Sequence, residues 1–259
     1  MMPFALITGG SKGIGKCIAT ELAARKYNLL LVARDASLLS AHASYLAEKY
    51  GIEAHYLALD LGQTAAIQVL MDWIISNNYI VGVLVNNAGY GLSGPFTKYS
   101  ANDHLEIMRV NMEVPVALTA ALLPMLTQNS PSYILNIASS AAYQAVPGLS
   151  VYAASKAFIL NFSRGLRHEL KNTGVYVTAV SPGATDTDFA NRADVGVKAL
   201  KTAEKVNMTP EAVAAIAVTA LFNKKTEVIT GFINKLGGFL VWLLPKKLAE
   251  RIAASLYGL

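Results

Sequence analysis

The 259-residue sequence contains one cysteine and little charge. Because Cys17 has no partner in the sequence, an intrachain disulfide and a thiolate metal cluster are both excluded. We expect Cys17 to be a small buried residue on the first predicted helix. Charged residues make up 15% of the chain and hydrophobic residues 53%, which excludes global disorder and allows a substantial core. The four histidines are scattered without metal-ligand spacing, so we expect no metal site.

We expect neither a signal peptide at the start of this sequence nor nucleic-acid binding. Its start, MMPFALITGG, has no basic region and leads directly into a predicted strand and turn, which favours a reducing, cytoplasmic setting. The net charge is +5, and the segment 198–259 holds nine Lys or Arg against four Asp or Glu. No basic run with interleaved aromatics occurs, so we do not expect nucleic acid as a partner.

Short apolar runs alternate with helical stretches along the whole chain. PFALIT, NLLLVA and VGVLV are continuous apolar runs, as in strands that are buried on both faces. The alternation predicts an α/β fold: a single-domain, Rossmann-like, doubly wound parallel sheet over residues 1–259, with helices on both faces. In such folds the ligand lies at the carboxyl ends of the strands.

The stretch TGGSKGIG follows the first predicted strand, and its glycines have the spacing G-x-x-x-G-x-G. Glycine allows backbone angles that other residues avoid, and it lets a pyrophosphate approach the free N–H groups at a helix start. The loop is therefore predicted to bind a dinucleotide phosphate, through a set of six residues: Gly9, Ser11, Lys12, Gly13, Ile14 and Gly15.

The same stretch also fits the G-x-S-x-G nucleophile elbow of a hydrolase, with Ser11 as the nucleophile. That interpretation needs a downstream histidine base. His104, near a predicted helix start, is the least excluded of the four histidines.

The second predicted strand ends in VARD, which offers two rival cofactor contacts. Asp35 lies about 20 residues past the glycine loop, where a carboxylate binds the ribose 2′-hydroxyl of NAD. Arg34 beside it suits the 2′-phosphate of NADP, and Lys12 adds positive charge on the same side. Asp35 could instead cap the next helix. We favour NADP(H) over NAD(H).

Five further motifs follow in order: NNAG at 86–89, Asn111 in RVNMEVP, Ser139 in NIASSAA, YAASK at 152–156 and SPGATDT at 181–187. With TGGSKGIG, this ordered set resembles the short-chain dehydrogenase/reductase family from residue 4 to about residue 190.

Tyr152 and Lys156 lie at i and i+4 of a predicted helix, hence on one face. A nearby ammonium favours the phenolate and suits Tyr152 to proton transfer. The resemblance implies that Tyr152 protonates a carbonyl oxygen, that Ser139 holds this oxygen, and that Lys156 also binds the nicotinamide ribose. It further implies that Asn111 holds a water in a proton relay. Ser140 is an alternative to Ser139.

The resemblance implies further contacts with the cofactor. Asp60 and Leu61 resemble a pair beside the adenine, although a helix cap would also explain Asp60. The segment after Asn86 resembles a strand end that lines the ribose, and SPGATDT resembles the segment beside the carboxamide. The residues implied are Asp60, Leu61, Asn87, Ala88, Gly89, Pro182, Gly183 and Thr187.

Beyond the motifs, residues 188–207 are predicted to form a mobile lid, and Thr209 to cap the next helix. In the C-terminal segment 238–259, FLVWLL is too short to span a bilayer. After it, Leu248, Ile252 and Leu256 form an apolar stripe among basic residues. This segment is expected to pack over the substrate cleft or a subunit interface, or, as an alternative, to contact a membrane surface.

The function expected is hydride transfer between NADP(H) and a small-molecule carbonyl or alcohol. The substrate is expected to be apolar: a ketone, an aldehyde or a 3-oxoacyl group. The resemblance also implies a homodimer or homotetramer. The alternative is a non-catalytic NADP(H)-binding regulator, but a regulator has no need of the proton donor that Ser139, Tyr152 and Lys156 provide.

Overall fold

The computed structural model describes residues 3–189, 193–196 and 207–257. Seven parallel strands form one sheet, with the spatial order β3-β2-β1-β4-β5-β6-β7. The strands are β1 (Phe4–Thr8), β2 (Asn28–Ala33), β3 (Ala54–Ala58), β4 (Val81–Asn86), β5 (Ser132–Ile137), β6 (Val175–Ser181) and β7 (Glu227–Ile229).

Helices connect the strands and cover both faces of the sheet. They are α1 (Gly13–Ala24), α2 (Ala36–Tyr50), α3 (Ala66–Ser76), α4 (Ala101–Met108), α5 (Val114–Gln128), α6 (Ser150–Glu169), α7 (Pro210–Phe222), α8 (Phe232–Leu243) and α9 (Lys246–Tyr257). Helices α1, α2 and α7 share one core cluster with the sheet, and α3, α5 and α6 share the other. The predicted doubly wound α/β fold is confirmed.

The two-sided core explains the continuous apolar runs. In β2, Leu29 and Leu31 belong to the cluster on one face, whereas Leu30 and Val32 belong to the cluster on the other. Successive side chains of a strand point to opposite faces, so a strand covered on both sides needs apolar residues throughout. Each fully buried leucine contributes about 1.5–3 kcal/mol of hydrophobic stabilisation.

Strand β1 lies between β2 and β4, so the chain reverses its direction of winding beside β1. At such a switch point the connections leave in opposite directions and open a crevice at the carboxyl ends of the strands. Here those ends are Thr8 of β1 and Asn86 of β4.

The helical stretch 101–128 is long and apolar enough to cross a membrane by composition. It is a core helix, however, because Leu118, Leu122 and Leu126 are fully buried against the sheet. It begins at Ser100, whose side chain forms a capping box with Asp103. Between α4 and α5 it widens into a π-helical turn, Arg109–Glu113, which the sequence does not predict.

Two sequence predictions concern the segment between β6 and α7. Thr209 caps α7 by accepting a hydrogen bond from the N–H of Ala212 (3.2 Å), as predicted. Of the predicted lid 188–207, the positions 190–192 and 197–206 lie outside the described residues, as does the side chain of Leu256.

Helix α9 buries Ala249 and Ala253, whereas no residue of α8 is buried.

Candidate active site

The glycine turn joins β1 to α1 through backbone angles that favour glycine. Gly9 has φ +68° and Gly13 has φ +53°. A Cβ on Gly9 would lie 2.7 Å from Nδ2 of Asn87, and one on Gly15 would collide with the carbonyl of Gly9. The turn therefore has no room for side chains at these positions.

The start of α1 has hydrogen-bonding capacity for an anion. Lys12 occupies the N-cap position without a side-chain capping hydrogen bond. The first N–H groups of a helix have no partner within the helix, and together with the helix dipole they attract negative charge. The turn therefore fits the phosphates of a dinucleotide.

Thr8 and Asn87 join the glycine turn to the end of β4. The Thr8 hydroxyl donates to the carbonyl of Val85 (3.1 Å) and accepts from the N–H groups of Asn87 and Ala88 (both 3.0 Å). The Asn87 amide donates back to the carbonyl of Thr8 (2.9 Å). Asn87, predicted as a cofactor contact, thus uses its amide to hold the turn in place, and Thr8 is a site residue that the sequence analysis missed.

The segment from Gly89 to Gly91 runs past three predicted site residues. A Cβ there would lie 2.9 Å from Oδ1 of Asn111 and 3.3 Å from Nζ of Lys156. Two residues further, a Cβ on Gly91 would lie 3.2 Å from the Tyr152 ring. The chain leaving β4 therefore passes directly against the side chains of these three residues.

Asn111 is buried in the π-helical turn and is held by three hydrogen bonds. Its Oδ1 accepts from the N–H of Tyr90 (3.1 Å), and its Nδ2 donates to the carbonyl of Tyr90 (2.9 Å) and to the Ser155 hydroxyl (3.0 Å). Through these bonds the Asn111 side chain positions the segment after β4. That Asn111 holds a water stays a prediction. Tyr90 and Ser155 were not predicted to be part of the site.

Lys156 lies inside the site, one helical turn after Tyr152 on α6. It is 5% exposed, and its Nζ donates to the carbonyl of Ile137 (2.9 Å). The ammonium lies 5.8 Å from the centroid of the Tyr152 ring. Burial disfavours the charged form and lowers the pKa of Lys156 to about 8. The expected Tyr–Lys proximity is thus present.

Ser139 lies two residues after Ile137, the last residue of β5, whose carbonyl accepts from Lys156. Its Oγ accepts from the N–H of Ala141 (3.1 Å) at the start of a 3₁₀ turn, Ser140–Tyr143. Ser140 belongs to that turn, and its N–H donates to the carbonyl of Pro182 (2.7 Å). The two candidate serines therefore differ: Ser139 is the last residue before the turn, and Ser140 anchors the turn to the segment that includes Gly183.

At the end of β2, the cap interpretation of Asp35 is correct. Its carboxylate accepts from the N–H of Leu38 (3.0 Å) and from the Ser37 hydroxyl (2.8 Å), and these bonds lower its pKa. Arg34 is exposed. The charge of Lys12 also lowers the pKa of Asp35, so Lys12 lies near this strand end.

Lys12 forms an ion pair with Asp188, 3.2 Å apart, in which both side chains are exposed. Exposed pairs contribute about 1 kcal/mol or less, so a phosphate would readily compete for Lys12. Thr187, beside Asp188, lies against the glycine turn, because a Cβ on Gly13 would be 3.2 Å from its methyl group.

The alternative of a helix cap at Asp60 is wrong. Helix α3 begins at Ala66, whereas the Asp60 carboxylate accepts from the N–H of Gly62 (3.0 Å) and closes a turn. Leu61 is 6% exposed and belongs to the core, so little of its side chain is available to a ligand.

Nothing in the described part of the chain completes a hydrolase triad. His104 stacks on Phe96 with 4.3 Å between ring centroids, and its Nε2 lies 3.0 Å from the carbonyl of Phe96. Within that same part, no hydrogen bond joins a histidine to Ser11, and no group of His, Cys, Asp and Glu could hold a metal.

Comparison with known proteins agrees with this geometry. The family model for short chain dehydrogenase matches residues 3–198, which include every catalytic and cofactor-binding residue predicted above. The chain belongs to the short-chain dehydrogenase family. It is therefore an oxidoreductase that acts on CH–OH groups.

Three members of the family show the extent of the similarity. Ketoacyl reductase HetN of Nostoc sp. is 34% identical over 224 residues, which cover 86% of this chain and 77% of that protein. The very-long-chain 3-oxoacyl-CoA reductase of Anas platyrhynchos is 36% identical over 185 residues, 69% of this chain and 58% of that protein. A short-chain dehydrogenase from Sphingobium yanoikuyae, solved in complex with NADPH, is 32% identical with a TM-score of 0.82 and coverage of 93% and 95%.

Proposed function

We propose that this short-chain dehydrogenase interconverts an apolar carbonyl compound and its alcohol, with NADP(H) as the hydride carrier. The observation that supports this most directly is the convergence at Gly89: Asn111 and Lys156 lie against it, and Tyr152 lies against Gly91. A non-catalytic regulator would need the nucleotide pocket but not this set of side chains.

The residues around the glycine turn fit NADP(H). The start of α1 offers N–H groups to the pyrophosphate, and Arg34 and Lys12 would hold a 2′-phosphate. Asp35 is held in the α2 cap through its Oδ1. The NADPH complex of the Sphingobium relative supports the same cofactor. When bound, NADPH supplies the hydride, and the protein's own residues supply the proton and hold the oxygen.

Tyr152 is the proposed proton donor to the carbonyl oxygen. An ordinary tyrosine has a pKa near 10, and a neighbouring ammonium stabilises its phenolate. Lys156 provides that ammonium from a fixed position, because its Nζ is bound to the carbonyl of Ile137. Ser139 follows the same strand and would donate its hydroxyl to the substrate oxygen.

An apolar side chain lies directly beside the proposed proton donor. Phe189 packs on Tyr152 with 5.1 Å between ring centroids. A small cavity beside the start of α6 has a mixed lining, which includes Leu92, Phe96 and Ile107 but also Tyr99, His104 and Ser150. The ketoacyl and 3-oxoacyl-CoA names of two relatives support a ketone or 3-oxoacyl substrate. We propose this class over polar carbonyl compounds.

The test is a turnover screen with NADPH against ketones, aldehydes and 3-oxoacyl thioesters, followed by Tyr152→Phe on the best substrate. We expect the variant to lose about a thousandfold or more in kcat, since its proton donor is gone, while NADPH still quenches protein fluorescence with unchanged affinity. Tyr56→Phe, at an exposed tyrosine of β3, is the control and should keep full activity. Near-normal turnover by Tyr152→Phe would refute the proposed role.

A further inference from the structure

Helices α8 and α9 expose an unusual amount of large apolar surface. Phe232 and Trp242 are 80% and 78% exposed. We call the full set the C-terminal apolar surface; it consists of Phe232, Ile233, Leu236, Phe239, Leu240, Trp242, Leu243, Leu248 and Ile252. Single exposed apolar side chains are normal, but a set of nine on two consecutive helices indicates an interaction site.

Small and polar residues of the two helices contact the rest of the protein, and Val241 is half-buried. Asn234 packs on Gly183 and donates to the carbonyl of Thr230 (2.8 Å). A Cβ on Gly238 would lie 3.2 Å from Ile229. In α9 the buried residues are Ala249 and Ala253. The large apolar side chains thus lie away from the core, the reverse of an ordinary surface helix.

Exposed cations accompany this apolar surface. Lys235, Lys246, Lys247 and Arg251 are all exposed, and Glu250 is the one acidic residue of segment 232–257. None of the four cations forms an ion pair within the described part of the chain. The segment therefore offers apolar and cationic groups together, the combination that binds anionic lipid.

We infer that the C-terminal apolar surface attaches this enzyme to an anionic lipid surface, with α8 and α9 lying in the headgroup region. Helix α8 has 12 residues, about 18 Å, which is too short to cross the roughly 30 Å hydrocarbon layer. Trp242 suits the membrane interface, where Trp and Tyr concentrate, and Phe239 suits the apolar face of an interfacial helix. A second copy of the chain is a poorer partner, because its matching face carries the same cations.

The attached surface would lie next to the active site. Helix α8 packs beside the 3₁₀ turn that follows Ser139, and its Asn234 touches Gly183. Attachment would therefore place this edge of the site at the lipid, where apolar molecules accumulate. The inference itself does not depend on the proposed substrate, because its test measures binding to lipid.

The test is flotation of the full-length protein with vesicles of phosphatidylcholine, or of phosphatidylcholine mixed with phosphatidylglycerol. We expect binding to the mixed vesicles that weakens at high salt. Replacing Phe239 and Trp242 by Ser should abolish it, and Lys246→Glu with Lys247→Glu should weaken it about tenfold or more. Ile75→Ser and Lys171→Glu, at exposed positions on the other elements, are the matched controls and should change nothing.

Two results would overturn the inference. One is the absence of binding to both kinds of vesicle by protein that still binds NADPH. The other is a stable oligomer in light scattering that dissociates in the Phe239/Trp242 variant, which would show that a second copy covers the surface. All the substituted side chains are exposed, so each variant should keep the unfolding temperature of the original protein. Thermal unfolding of each variant therefore distinguishes loss of attachment from loss of fold.

Discussion

Arg34 and Asp35 are neighbours at the end of β2, but they have different tasks. Asp35 accepts two hydrogen bonds at the start of α2, from Leu38 and Ser37. Both bonds end on Oδ1, so the cap fixes the position of the carboxylate beside Arg34. Arg34 is exposed, and its guanidinium can bind a phosphate through two parallel hydrogen bonds. We propose that Arg34 sets the preference for NADP(H).

Arg34→Ala should weaken NADPH binding by about 10–100-fold, because a hydrogen bond to a charged group contributes about 1.5–3 kcal/mol. NADH lacks the 2′-phosphate, so its affinity should change little. Titration of protein fluorescence with each cofactor measures both effects. Arg25→Ala, which removes an exposed pair with Glu21, is the matched control. An equal loss for NADPH and NADH would count against Arg34 as the phosphate ligand.

At the scale of elements, the site depends on the register between β1 and β4. The Thr8 hydroxyl forms three hydrogen bonds across these strand ends, and it is 1% exposed. The glycine turn follows Thr8, and the segment that lies against Asn111 and Lys156 follows Asn87. The Thr8 side chain therefore aligns these two parts of the candidate site.

Thr8→Val keeps the shape of the side chain but leaves the N–H groups of Asn87 and Ala88 without their acceptor. We expect the free energy of unfolding to fall by about 2–3 kcal/mol, since each unsatisfied buried group costs about 1–3 kcal/mol. NADPH affinity should fall as well. Chemical denaturation and cofactor titration measure the two, with Thr64→Val at an exposed position as control. Unchanged stability and affinity would mean that the backbone alone fixes this register.

At the scale of the whole molecule, the sequence predicted features that depend on neighbouring residues better than contacts between residues far apart in the chain. The strands, the glycine turn and the Tyr152–Lys156 spacing were confirmed because each depends on neighbouring residues. The contacts of Thr8 and Asn111 span 77–80 and 21–44 residues along the chain, and no local pattern encodes them. The cap at Asp35 also required geometry, because the sequence allows the same carboxylate to cap a helix or to bind a ribose.

The buried Lys156 also affects the stability of the whole molecule. Its pKa is about 8 in the folded protein, against an ordinary value of 10.5. Below pH 8 both states bind the proton, and burial of the charge destabilises the folded state. Between about pH 8 and pH 10.5 the unfolded state binds more protons, so the contribution of Lys156 to the unfolding free energy rises with pH. Above that range both states are neutral, and the penalty is absent.

This penalty can be isolated by comparing Tyr152→Phe with the double variant Tyr152→Phe/Lys156→Met, since the shared background removes coupling to the tyrosine. Tyr152→Phe retains Lys156. Its unfolding free energy should therefore rise relative to that of the double variant between pH 8 and pH 10.5. The shift should be on the order of 3 kcal/mol, from a pKa difference of about 2–3 units. Urea denaturation at several pH values measures it. A difference that stays constant would mean that Lys156 titrates alike in both states, and hence that the folded protein hydrates or neutralises its charge.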